Sequence, residues 1–176
     1  MPELDENATF LIATSWQALN RATDGDEKTL ECNCTIVILF AYFFIEANLT
    51  QIIKKMGRYQ DMTNFLGNKN KYPGLFLKLG WFYNEFISSK KAKTKSAFFD
   101  KTFELKLDQE FSGFSKLHDF RNGVAHGVIK RSLTNLDTAI ELRINAKKIV
   151  DKLFQISKSE GFDIPRLVTY EMSLKV

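Results

Sequence analysis

Thr35-Ile36-Val37-Ile38-Leu39-Phe40-Ala41-Tyr42-Phe43-Phe44-Ile45-Glu46-Ala47-Asn48-Leu49 is the stretch that decides the fold. Its β-branched opening, residues 35–38, suits a strand by local propensity. Length decides for helix, because the apolar pattern continues through Ala41, Ile45, Leu49 and Ile53. Residues 30–56 are therefore expected as one long helix ending near Gly57. From Thr35 to Leu49 it is apolar almost all round, the mark of the central helix of a bundle. Glu46 is the only charge between Glu31 and Lys54. The most hydrophobic run, 36–45, stops at Glu46 and is too short to span a bilayer, so no membrane-crossing segment is expected.

Working outward, residues 6–22 carry Phe10, Leu11, Thr14, Ala18 and Leu19 on one stripe, widened by Trp16, and predict a first helix. Thr23-Asp24-Gly25-Asp26 breaks it. Residues 73–87 predict a third helix, starting at Pro73 and carrying Leu75, Phe76, Leu79, Phe82, Tyr83 and Phe86. The polar, basic stretch 88–97 follows, expected as an exposed and poorly ordered loop holding Lys90, Lys91, Lys93 and Lys95. A fourth helix is expected from 108 past Phe120. A fifth is expected over 135–159, with Ala139, Leu142, Ala146, Ile149, Val150, Leu153 and Ile156 as its apolar face. Residues 167–176 alternate enough for a short strand or an extended tail. The chain reads as a single all-α domain, an antiparallel bundle of about five helices.

Composition agrees. A chain of 176 residues with 44% hydrophobic content supports a core and excludes a disordered polymer. The net charge of +4 is uneven: residues 1–50 hold 8 acids and 2 bases, residues 51–106 hold 12 bases and 4 acids. A basic middle suits a polyanionic partner, but a solvated lysine loop is the plainer explanation. Cys32 and Cys34 are too close for an ordinary disulfide and lack the second pair of a zinc site. With no secretory signal in the sequence, reduced thiols and a cytoplasmic location are expected.

Most catalytic signatures are absent: no phosphate-cradling glycine loop, no dinucleotide fingerprint, no nucleophile elbow. With only His118 and His126 available, no metal site and no cofactor are expected. The stretch 111–127 remains. On an ideal helix counted from Phe111, Phe120, Val124, Leu117, Phe114 and Ala125 share one apolar arc from about 180° to 360°. Arg121 falls at about 280°, inside that arc, where a guanidinium must find acceptors. The plain structural reading pairs it with Glu46 inside the bundle. The functional reading has it line a groove and face a phosphate. His126, four residues after Asn122, either satisfies helix-end carbonyls or acts as a general acid/base. Gly123 and Gly127 let backbone or substrate approach closely. His118, near 340°, reads as a packed histidine.

Arg121-Asn122-Gly123-Val124-Ala125-His126 resembles the Arg-x4-His signature of the HEPN superfamily, with a polar residue after the arginine. The helical pattern over 6–160 is similar too, and Glu46 and Asn48 resemble polar residues that face the motif arginine from an earlier helix. The resemblance implies a metal-independent endoribonuclease, a toxin or defence effector, whose homodimer brings two motifs to one cleft. It would make His126 the general acid/base, Arg121 the stabiliser of transition-state charge, and Asn122 the residue that orients the arginine or binds phosphate. Products would carry 2′,3′-cyclic phosphate and 5′-hydroxyl ends, and an antitoxin protein is an implied partner. Members silenced by nucleotidylation carry a tyrosine two residues after the histidine, where this chain has Val128. Other members bind RNA or nucleotides without cleavage, or serve as protein-interaction modules.

Overall fold

The computed structural model describes residues 17, 18, 21, 27–67, 73–93, 103–128 and 134–165. Among the described residues, six α-helices have defined bounds and pack together: α1 (Glu27–Lys55), α2 (Tyr59–Leu66), α3 (Leu75–Phe86), α4 (Phe103–Glu110), α5 (Phe114–Ala125) and α6 (Leu136–Ser159). No strand occurs among the described residues. The expected first helix lies mostly outside them, although residues 17, 18 and 21 are helical. The expected strand or tail at 167–176 lies wholly outside them.

The 35–49 run resolves as read. Cys34, Val37, Ile38, Ile45, Leu49, Ile52 and Ile53 are all fully buried, so α1 is the axis about which the rest is assembled. α6 lies along it as the principal neighbour and α5 as the second. A core stripe of Ala139, Leu142, Ala146, Ile149, Val150 and Leu153 seals α6 to α1, and Asn135 caps its start by accepting a bond from the Thr138 N–H at 2.8 Å. One expectation needs amending. The helix over Lys28–Lys55 is long and apolar enough to cross a membrane, judged by length and composition alone. Most of its apolar window is buried within the bundle, as the core helix of a packed protein would be.

Two local features escaped the pattern reading. α2 is an extra short helix that inserts Met62 and Leu66, one turn apart, into the core. The expected fourth helix is two helices, broken at Phe111-Ser112-Gly113. Gly113 sits at φ +81°, and a Cβ there would collide with the buried Asn145 amide of α6. The Asp108 carboxylate then receives the Ser115 N–H at 3.2 Å, satisfying a donor in the first turn of α5.

Candidate functional site

α5 carries the motif, and its burial follows a drifting stripe. Phe114, Leu117 and Phe120 are buried. Each three-residue step turns 300°, so the covered sector slips by about 60° per step along the helix. By the level of Phe120 and Val124 it has moved off the direction of Arg121. Arg121 is therefore exposed, and so are Ala125 and His126. This corrects the placement of Arg121 on the apolar face: an angular projection pools residues from different depths, and the packing does not.

The pairing of Arg121 with Glu46 is corrected as well. Glu46 is taken by Lys78 of α3, whose Nζ donates to its Oε1 at 2.9 Å and to Thr50 Oγ1 at 2.9 Å. Lys78 is 8% exposed, so α3 supplies the buried cation that α5 was expected to supply. A signal for it was present. Lys78 is the only charge between Leu75 and Glu85 in an apolar helix, the same criterion that singled out Glu46. Asn48 is 2% exposed, and its amide donates to the Phe44 carbonyl one turn back at 2.8 Å.

What Arg121 touches is Asn122. Its Nη1 donates to Asn122 Oδ1 at 3.2 Å. Asn122 Nδ2 lies 3.0 Å from His118 Nε2, and His118 Nδ1 lies 3.4 Å from the Tyr42 hydroxyl on α1. The His118 ring is stacked among Phe76, Phe114 and Tyr42, at centroid distances of 5.0, 5.9 and 6.2 Å. The histidine read as merely packed thus belongs to a polar row that leads from the core to the motif. Burial pushes the Tyr42 phenol up to about 12, with Glu46 adding to the rise and Arg121 opposing it. Glu46 and Arg121 therefore act on one hydroxyl without pairing with each other.

His126 sits at the end of α5 as its C-cap, exposed. The chain closes there in a Schellman turn. Val128 N–H donates to the Gly123 carbonyl at 2.8 Å, and Gly127 N–H to the Val124 carbonyl at 3.2 Å. Gly127 takes the left-handed position at φ +69°. Gly123 has another reason to lack a side chain, since a Cβ would meet the Val128 carbonyl oxygen at 2.6 Å. Gly123 thus permits a close approach of backbone to backbone and Gly127 a left-handed backbone, and the turn they close fixes where His126 is presented.

The described part of the lysine loop, residues 88–93, is tied to α3. Asn84, buried on α3, grips it from below: its amide donates to the Ala92 carbonyl at 3.2 Å and accepts from the Ala92 N–H at 2.7 Å. Lys90, Lys91 and Lys93 stand exposed around that clamp, with Lys91 3.6 Å from Glu85. Lys95 lies outside the described residues. Phe76, at the start of α3, touches His118, whereas the loop leaves its other end, about 15 Å along the helix axis at roughly 1.5 Å per residue. Lysines and motif therefore occupy opposite ends of α3. Among the described residues, no group of three or more His, Cys, Asp or Glu side chains is placed to hold a metal ion.

No protein-family model, curated protein or solved structure matches this chain.

Proposed function

We propose that the chain is a HEPN-type endoribonuclease acting without a metal ion, with Arg121, Asn122 and His126 as its catalytic group. One observation carries the reading. Arg121 is exposed in the last turns of α5 and, among the described residues, its hydrogen-bond partner is its neighbour Asn122, while Glu46 is already satisfied by Lys78. Among the described residues no carboxylate pairs with this arginine, which leaves its remaining donors open to an external acceptor. A phosphate matches its planar fork of donors.

In this reading the RNA 2′-hydroxyl oxygen attacks the adjacent phosphorus as the imidazole of His126 removes its proton. The bond from phosphorus to the 5′-oxygen breaks, and that oxygen leaves with a proton. The ends are a 2′,3′-cyclic phosphate and a 5′-hydroxyl. Arg121 stabilises the charge that accumulates on the non-bridging oxygens, and Asn122 fixes the guanidinium. Two copies of the chain would face their motifs into one cleft, so that acid and base come from a pair of sites. A toxin or defence role, with an antitoxin protein as partner and the cytoplasm as its location, goes with this proposal.

The test is cleavage of single-stranded RNA in EDTA, with the product ends identified. Wild-type protein should cleave, and His126→Ala and Arg121→Ala should lose at least ~100-fold while keeping the circular dichroism of the bundle. Equal cleavage by either variant sinks the proposal. A second reading, RNA or nucleotide binding without cleavage, is favoured by the clamped display of Lys90, Lys91 and Lys93. It predicts salt-sensitive binding that falls when these lysines are neutralised.

A further inference from the structure

The row of polar contacts from α5 into α1 has a direction. A guanidinium has donors only, so the atom of Asn122 that faces Arg121 must be Oδ1. That places Nδ2, itself a donor, against Nε2 of His118 at 3.0 Å. Nε2 must then offer its lone pair, and in a neutral imidazole the single proton goes to the other nitrogen. Nδ1–H in turn points at the Tyr42 oxygen, 3.4 Å away. Reversing any link would set two donors face to face.

We infer that His118 and Tyr42 are positioning residues for the motif arginine: a one-way chain Arg121→Asn122→His118→Tyr42 holds His118 as its Nδ1–H tautomer and anchors Arg121 to the central helix. The assignment rests on the proposed function for the word positioning, but the chain itself rests on geometry alone. His118 suits the task because Tyr42, Phe76 and Phe114 all stack on its ring within 25–30° of parallel, which fixes the plane in which its nitrogens point. Tyr42, 3% exposed, supplies an endpoint on the most deeply packed helix. Asn122, half-buried, is the hinge between core and surface. A side chain that lies exposed and long, with many rotamers, thereby acquires a preferred one at its base.

Nitrogen-15 spectroscopy of labelled histidine tests this directly, because an exposed neutral imidazole prefers the proton on Nε2 whereas the chain demands Nδ1. His126→Ala separates the two histidine signals. Wild-type His118 should show a protonated Nδ1 and a bare Nε2. Asn122→Asp keeps the shape but turns Nδ2 into an acceptor, so His118 should revert to the Nε2–H form. A protonated Nε2 in wild type, or no change in Asn122→Asp, overturns the chain. In the cleavage assay, Tyr42→Phe should lower kcat by about 3- to 10-fold with KM changed less than about twofold. An unchanged kcat removes the positioning role. If no RNA is cleaved by wild type, the proposed function fails, and the tautomer still decides the chain independently.

Discussion

The ammonium of Lys78 lies 2.9 Å from the carboxylate of Glu46, on helices that meet at the core, and the two partners are unequally buried. The lysine side chain is 10% exposed and the glutamate 28%. Removing the glutamate strands a nearly buried cation, whereas removing the lysine leaves a carboxylate that water can reach. Glu46→Ala should therefore cost about 3 kcal/mol and Lys78→Met about 1 kcal/mol. Denaturant unfolding of the two variants and of the double variant measures both values and their coupling. A larger loss for Lys78→Met would contradict the burial asymmetry.

The Schellman turn sets a second expectation. At Gly123, a methyl group would press on the Val128 carbonyl at 2.6 Å; at Gly127, it would meet open space in a left-handed backbone. Gly127→Ala should cost about 1 kcal/mol, from conformational strain. Gly123→Ala must open the turn itself, and should disturb the chemical shifts of His126 and Val128 more than those of residues in α6. If cleavage is found, Gly123→Ala should lower it without altering the thermal transition of the bundle by more than a few degrees.

Tyr42 offers a pH-dependent readout. Its phenol is held neutral to about 12, against an ordinary 10. A raised folded value means that the stabilisation from the neutral phenol is fully present below pH 10 and is lost as pH rises through about 12. Wild-type protein should thus lose about 2 kcal/mol more than Tyr42→Phe over that window. Ultraviolet titration should likewise show one late-ionising tyrosine that is missing from the variant. Identical alkaline titration of the two proteins would refute the assignment.

The clamp on the lysine loop is checked by proteolysis. Asn84→Ala removes both bonds to Ala92 and leaves its backbone groups to water. Trypsin should then cut at Lys90, Lys91 or Lys93 well before wild type is cut there, with the rest of the bundle intact. Equal cleavage rates would show that the loop needs no clamp.

These particulars divide what sequence can disclose from what it cannot. The core role of 35–49 was legible because a long apolar run at helical spacing has few other destinations, and the apolar face of α6 was legible for the same reason. The position of Arg121 was half legible. Periodicity gives the angle of a side chain about its helix but not its depth along the axis, and the covered sector had drifted by the time the chain reached it. Partnership is a further step removed. Glu46 invited a cation, and two candidates stood in the chain at equal sequence-level merit; only packing of α3 on α1 chose Lys78. The break at Gly113 was hidden because it depends on a residue far along the chain, Asn145, and the clamp of Asn84 because periodicity says nothing of how a loop folds back on its helix, even eight residues on at Ala92.

The apolar, mostly buried middle of α1 carries a consequence for how this protein is made. The helix leaves the ribosome before α6, its main cover, which follows roughly 80 residues later, a wait of several seconds at the usual pace of translation. Throughout that interval a rod apolar enough for a lipid bilayer stands without its partner. Nascent chains of this protein should therefore depend on chaperones that shield apolar segments, and truncation before α6 should send the product into aggregates or membranes. The same helix that organises the finished molecule is the greatest hazard of the unfinished one.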